Sequence, residues 1–344
     1  MSTERTEIEK LGEFGLIDRL TQNFETFNAS TVLSIGDDAA VIDHFGKQTV
    51  ITTDLLVEGV HFDLMYTPLK HLGYKSVVVN LSDIYAMNAQ PTQITMSLAF
   101  SNRFSLEALE EFYEGVAIAC DKYGVDLIGG DTSTSQKGLI ISVTALGEVA
   151  PDQYIKRSTA ESGDLICVSG DLGAAFLGLT LMEREKKIFL ENPQIQPNLE
   201  NEDYIVGRLL RPEARKDIIE LLEKLEIKPT SMMDISDGLS SDVLHLCKQS
   251  DLGCRIYEEK IPINEASKAA AFKFGLDATV CALNGGEDYE LLFTMKQADY
   301  DKMTMQEEIS VIGYMCDASE GKKLITKGNN LFDITAQGWN AFGK

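Results

Sequence analysis

Apolar and polar positions alternate with period two in several stretches, and each such stretch predicts a strand. In QITMSLAF (93–100), Ile94, Met96, Leu98 and Phe100 share one face. GLIISVTALGEV (138–149) predicts a second strand and QTVITTD (48–54) a third, ending on Asp54. Between them the period changes to that of a helix. Leu106, Leu109, Phe112, Val116 and Ala119 recur at helical spacing behind Ser105, a suitable N-cap. Segment 70–88 fits two readings. Val77, Val78 and Val79 favour a strand, whereas its length and the Met87–Asn88–Ala89 ending suit a helix.

A polar break, APDQYIKRSTAESGD (150–164), precedes a fresh strand, DLICVSG. A second α/β set follows: a helix over about 173–187, a polar loop (ENPQIQPNLENED), and a helix with Ile218, Ile219, Leu222 and Leu225 inward. SMMDISDGLSSD comes after Pro229, and YELLFTM and ISVIGYM predict late strands. There is no tandem repeat and no low-complexity tract. The expected fold is α/β (α+β) in two domains, 1–152 and 153–344, and 344 residues suffice for two cores.

Charge narrows the partners. Lys and Arg number 31 against 54 Asp and Glu, a net charge of −23 that repels phosphate backbones and anionic lipid. Neither nucleic acid nor membrane is expected as a partner. The six cysteines contain no C-x-x-C pair and suit reduced core thiols. MSTERTEIEK is charged, and no apolar run approaches the ~18 residues that span a bilayer. The expected location is the cytoplasm.

Acidic residues recur where apolar stretches end or beside glycine. Asp37 and Asp38 follow Gly36; Asp54 follows Thr52 and Thr53; Asp83 ends VVVNLSD; Asp131 ends DLIGGD. Asp234 and Asp237 bracket DISD, an i, i+3 spacing that puts both carboxylates on one side if the turn opens a helix. NGGEDYELL carries Glu287 and Asp288. Each alone reads equally well as a surface turn or an element terminator. Together, with no matching basic run, they suggest carboxylates converging on hard cations, Mg²⁺ or Ca²⁺. The EF-hand pattern is absent, and Mg²⁺ usually shares its shell with substrate phosphates. A metal, rather than Lys or Arg, is the expected partner of the Asp37–Asp38 pair. Gly129–Gly130 and Gly285–Gly286 let backbone N–H groups approach a phosphate. A P-loop, the protein-kinase motifs and G-x-G-x-x-G are all missing, so any nucleotide must be held by another architecture.

IGDDAAVI, TTDLLVEGVHF, VNLSDIYAMNAQP, LIGGDTS, KRSTAESGD, DISDGLSSDV and GGEDYELLFT occur in the order found in the thiamine-monophosphate kinase family. That family belongs to the aminoimidazole ribonucleotide synthetase superfamily, and the resemblance runs from about Gly12 to Trp339. It implies the two-domain aminoimidazole ribonucleotide synthetase-like fold. Residues 1–152 would bind ATP and Mg²⁺ and pair across a homodimer, and the C-terminal α/β domain would complete the active site. The implied reaction is ATP + thiamine monophosphate → thiamine diphosphate + ADP with several Mg²⁺ ions, the last step of thiamine diphosphate formation. Carried over by motif, the metal ligands would be Asp38, Thr52, Thr53, Asp54, Asp83, Asp131, Asp234 and Asp237. Asp131 and Asp237 would act in catalysis through metal. Gly130, Arg157 and Ser236 would hold ATP, and His61, Glu287 and Trp339 would contact thiamine monophosphate. The resemblance also implies that 70–88 is a helix presenting Asp83.

Bland readings stand beside several of these. His61 reads equally as a satisfied, partly buried side chain, Trp339 as a tail anchor, and Arg157 as a surface partner of Glu161. Two departures from the family are visible. Asn88 stands where the family has glycine, a position Asn tolerates in the left-handed region, and 188–206 reads as a longer loop than the family needs. The phosphate acceptor is already anionic at neutral pH, so no general base is required, and the sequence offers no obvious one. Rival readings are another ATP-dependent member of the superfamily, or a non-catalytic Mg²⁺- or nucleotide-binding protein. Selenophosphate synthetase would want a reactive Cys near the N-terminus, but the first here is Cys120. The hydrogenase-maturation dehydratase would want a C-terminal Cys, but the chain ends Phe-Gly-Lys.

Overall fold

A computed structural model describes residues 31–33, 37–38, 40–44, 46–101 and 104–337. Gly36 and Trp339 lie outside the described residues. Six strands form the first sheet: β1 (Thr31–Leu33), β2 (Ala40–His44), β3 (Lys47–Val57), β4 (Gln90–Phe100), β5 (Asp126–Thr134) and β6 (Ile140–Val149). Their order is β1-β2-β3-β6-β4-β5, and only β4 and β5 run parallel. β3 continues three residues past Asp54, which therefore sits within a paired strand and does not end it.

Segment 70–88 is helical. Helix α1 (Leu69–Ala86) lies on β3, β4 and β6 and beside α2 (Leu106–Tyr123). Its strand-like valines are explained by burial on several sides. Val77, Val78, Leu81 and Ile84 have no exposed surface, and each such side chain contributes about 1.5–3 kcal/mol. A helix enclosed in this way has no polar face to show in its sequence. Asn88, just past its end, has φ 58°, the left-handed backbone expected there. Ser105 caps α2 by accepting the Ala108 N–H, worth about 1 kcal/mol.

The second sheet has the order β13-β12-β9-β11-β7-β10-β8. Its strands are β7 (Leu165–Ser169), β8 (Ser231–Ile235), β9 (Leu252–Tyr257), β10 (Glu290–Met295), β11 (Ile309–Asp317), β12 (Lys322–Ile325) and β13 (Leu331–Asp333). Helices α3 (Ala174–Glu191), α4 (Asp203–Leu210), α5 (Lys216–Lys224) and α6 (Leu239–Ser250) accompany it. Because α3 runs to Glu191 and α4 begins at Asp203, the loop between them is shorter than the polar composition of 188–206 suggests. In α5, Ile218 and Leu222 are buried, while Ile219 and, just past its end, Leu225 pack only partly. All six cysteines are free thiols. No helix among the described residues is long and apolar enough to cross a membrane. α1 also touches β8, so the two sheets meet across this one helix.

Candidate active site

Buried polar groups on α1 organise the meeting point. Asn80 Oδ1 accepts the Asp54 N–H at 2.9 Å, and its amide donates to Ser76 O at 3.0 Å. Ser82 donates to Asp234 Oδ2 at 2.6 Å, and Asp83 Oδ2 accepts from the Thr52 hydroxyl at 2.6 Å. Lys75 Nζ donates to Glu287 and, at 3.2 Å, to Leu209 O. One helix thus touches Asp54, Asp234, Thr52 and Glu287, which come from β3, β8 and the segment before β10.

The result is a small cavity of about 130 Å³ lined by Asp54, His61, Asp83, Asp234, Ser236, Glu287 and Tyr289, among others. Asp38, Asp83 and Asp234 each offer a carboxylate oxygen, all within 4.8 Å of one another. Like charges this close, removed from water, oppose ionisation. Burial, then Asp234 and Glu287, raises Asp54 to about 6. Burial, then Asp54 and Asp234, pushes Asp83 well above the usual carboxylate range. Asp234 is also raised by burial, against the pull of its Ser82 bond and Arg157. The Asp38 carboxylate is buried, with one oxygen against the Arg157 guanidinium. An all-oxygen, crowded set of acids fits a hard divalent cation such as Mg²⁺.

Asp37 and Asp38 do meet a basic residue, contrary to the sequence expectation. Arg157 forms an ion pair with Asp38 and places its Nε 3.6 Å from Asp37 Oδ1. The Arg157 N–H also donates to Asp37 Oδ2 at 3.1 Å. Arg157 lies within the break between the sheets and reaches back over more than a hundred residues, a pairing no local motif announces. It does not pair with Glu161, which binds Lys296.

Asp234 lies in β8, Asp237 in the following turn, and α6 begins only at Leu239, so the two do not share a helix face. Asp237 instead approaches Arg157 and Asp242, and its N–H donates to the buried Asp242 carboxylate. The neighbouring segment is strained. Glu287 and Tyr289 have φ of 61° and 53°, costing about 1–2 kcal/mol each for non-glycine residues. Their N–H groups are pinned to Ser236 O (2.7 Å) and Ile235 O (2.9 Å). Gly286, at φ 69°, has to be glycine, because a Cβ would meet Ser236 O at 2.5 Å.

His61 Nδ1 accepts the Val57 N–H at 3.0 Å, so the neutral ring carries its proton on Nε2. Burial lowers its pKa, opposed by Glu287.

Three predicted residues lie elsewhere. Thr53 points to the face of β3 opposite Thr52 and Asp54 and donates to Val143 O at 2.9 Å. Asp131 is exposed on edge strand β5, in the row Leu55–Ser142–Ser97–Asp131. Three strand spacings put it roughly 14 Å from Leu55, on the face that Thr53 shares. Gly130 lies against Met96 O on β4, where a Cβ would clash; close strand pairing by itself requires the glycine.

The AIR synthase related protein N-terminal domain matches residues 36–149, and the C-terminal domain matches 161–322. Thiamine-monophosphate kinase of Aquifex aeolicus is 34% identical over 335 residues, covering 97% of this chain and 99% of the relative. That of Bacillus subtilis is 32% identical over 339 residues, covering 96% and 100%. The chain belongs to the thiamine-monophosphate kinase family.

A solved structure of a family member, AaThiL complexed with AMPPCP and TMP, superposes with a TM-score of 0.84 at 32% identity, covering 99% of this chain and 100% of that one. Hydrogenase maturation protein HypE in complex with ATP gives 0.69 at 18% identity, over 98% and 99%, and shares the fold alone. Against the thiamine-monophosphate kinase motifs, what sequence reading missed is the buried support: Lys75, Asn80, Ser82 and Asp242. Asn80 and Ser82 stand inside VNLSD and Asp242 inside DISDGLSSDV, so proximity to those motifs is the available signal. Lys75 has no such signal.

Proposed function

We propose that this chain transfers the γ-phosphoryl group of ATP to thiamine monophosphate, giving thiamine diphosphate and ADP. The observation that carries the reading is the convergence of Asp54 and Asp234, one from each sheet, with Asp83 of α1 on one cavity that also holds His61 and Glu287, Asp38 lying within 4.8 Å of Asp83 and Asp234. The full-length similarity to the thiamine-monophosphate kinases supports it.

In this reading Asp38, Thr52, Asp54, Asp83, Asp234 and Asp237 hold Mg²⁺, which when bound neutralises phosphate charge. The acceptor is a dianionic phosphate that attacks without a general base. Two unit charges ~4 Å apart repel by about 4 kcal/mol at an effective dielectric of 20. The chain's part is therefore to position donor and acceptor and to keep water out. Arg157 contributes a fixed positive charge near the nucleotide phosphates, Ser236 lines the same cavity, and His61 and Glu287 meet thiamine monophosphate.

We place the domain boundary at 152/153, between the last strand of the first sheet and the first of the second. A homodimer is part of the proposal. Every residue of edge strand β5 is exposed, including Leu127 (42%) and Ile128 (59%), an unpaired apolar edge of the kind that self-association covers. A partner chain on that face would give Thr53, Gly130 and Asp131 a place in nucleotide and metal binding. Free thiols, five of them buried, suit a reducing cytoplasm.

The test is ADP release measured with and without thiamine monophosphate at saturating Mg²⁺, with product identified by chromatography. Release that depends on thiamine monophosphate, with equimolar thiamine diphosphate, is the expected result. Tight nucleotide binding without turnover would point to the non-catalytic reading instead.

A further inference from the structure

We propose that Lys75 is a positioning residue for substrate recognition, holding the Glu287 carboxylate where the cationic ring of thiamine monophosphate meets it. The inference rests on the activity proposed above. Lys75 is 4% exposed and sits among Val77, Val78 and Leu72, all without exposed surface. Its ammonium crosses from α1 to the second half of the chain, where it donates to Glu287 Oε2 and Leu209 O. Glu287 keeps 30% of its side chain exposed and lines the cavity; its other oxygen accepts from Tyr289 OH at 3.3 Å.

Stability does not explain a lysine here. A buried ion pair is generally no better for folding than well-packed apolar side chains of similar volume. Electrostatics does explain it. Glu287 stands within reach of Asp54, whose proton affinity it raises, and on a left-handed backbone. Left alone, that carboxylate would be turned away from the like-charged acid cluster. A fixed ammonium on one oxygen keeps the side chain oriented toward the cavity. The positive charge of the substrate ring then meets a carboxylate already in place, so less ordering is needed on binding. A second role, as a simple tie between α1 and α4 through Leu209 O, predicts different behaviour and is separable.

The experiment compares Lys75→Met, Lys75→Gln, Glu287→Gln and Lys75→Met/Glu287→Gln with the wild type, measuring kcat, both KM values and the melting temperature. Lys75→Met is expected to raise KM for thiamine monophosphate about tenfold or more, the size of a lost charge-assisted bond. KM for ATP should stay near wild type, while the melting temperature falls because Glu287 and Leu209 O lose a buried donor. Lys75→Gln, which keeps a donor without the charge, should lie between. Glu287→Gln should raise the same KM, and the double variant should be no worse than the worse single one. The inference is overturned if Lys75→Met leaves that KM unchanged while Glu287→Gln raises it. Fully additive losses overturn it too, as does a common fall in kcat, both affinities and melting temperature, which marks a structural tie. Thiamine diphosphate formation by the wild type reports on the proposed activity separately.

Discussion

Ser82 on α1 donates its hydroxyl to Asp234 Oδ2 on β8 over 2.6 Å, and both residues are buried. The bond joins the two halves of the chain at the acid cluster and fixes one carboxylate oxygen while leaving the other for a ligand. Ser82→Ala should lower kcat roughly tenfold and raise the Mg²⁺ concentration needed for half-maximal rate, at a stability cost of about 1 kcal/mol. Steady-state kinetics over a Mg²⁺ series and a urea melt check both parts.

Asp54 carries a pH prediction for the metal-free protein. Its folded value of about 6 lies above its ordinary 3.8. The folded state therefore binds more protons than the unfolded state between about pH 4 and 6. This contribution to stability is full at the acid end and is lost as pH rises through 6. In chelator at pH 7.5, Asp54→Asn should melt a few degrees above the wild type, with the gap shrinking at pH 5. Excess Mg²⁺ should raise the wild-type melting temperature and leave the variant behind. Calorimetry at the two pH values decides it.

Arg157 stands where Asp37 and Asp38 would otherwise face each other unscreened. Burial already raises Asp37 to about 6 despite the nearby guanidinium. Arg157→Met should cost about 3 kcal/mol in chelator, the scale for breaking a buried pair. Added Mg²⁺ should restore part of it. KM for ATP should rise more than KM for thiamine monophosphate, as parallel denaturation and kinetic series would reveal.

Asp131 tests the second face. It is exposed and makes no contribution to either core, so Asp131→Asn should leave the melting temperature unchanged. If it serves the site, turnover should fall roughly a hundredfold or more. Wild-type turnover in this variant would remove Asp131 from the site.

The sequence carried β3, β4, β6 and α2 plainly, because each alternates between a buried and a more open face with a clear period. α1 was ambiguous for the opposite reason: enclosed on several sides, it buries Lys75, Asn80 and Ser82 beside its valines, and no periodicity separates them. The acids Asp38, Asp54, Asp83 and Asp234 were legible as recurrent turns and element ends, yet their common meeting point depends on how the two sheets pack. Arg157 as the partner of Asp37 and Asp38 was not legible, since it joins segments about 120 residues apart. The division of Thr52 and Asp54 from Thr53 follows from strand alternation alone and needed only the knowledge that β3 continues beyond Asp54.

The most direct measurement of the central claim follows a labelled γ-phosphate of ATP in a reaction with thiamine monophosphate and Mg²⁺. The account predicts the label in the terminal phosphate of thiamine diphosphate, one for each ADP formed. Label released as free phosphate, or thiamine monophosphate recovered unchanged at saturating ATP and Mg²⁺, would contradict it.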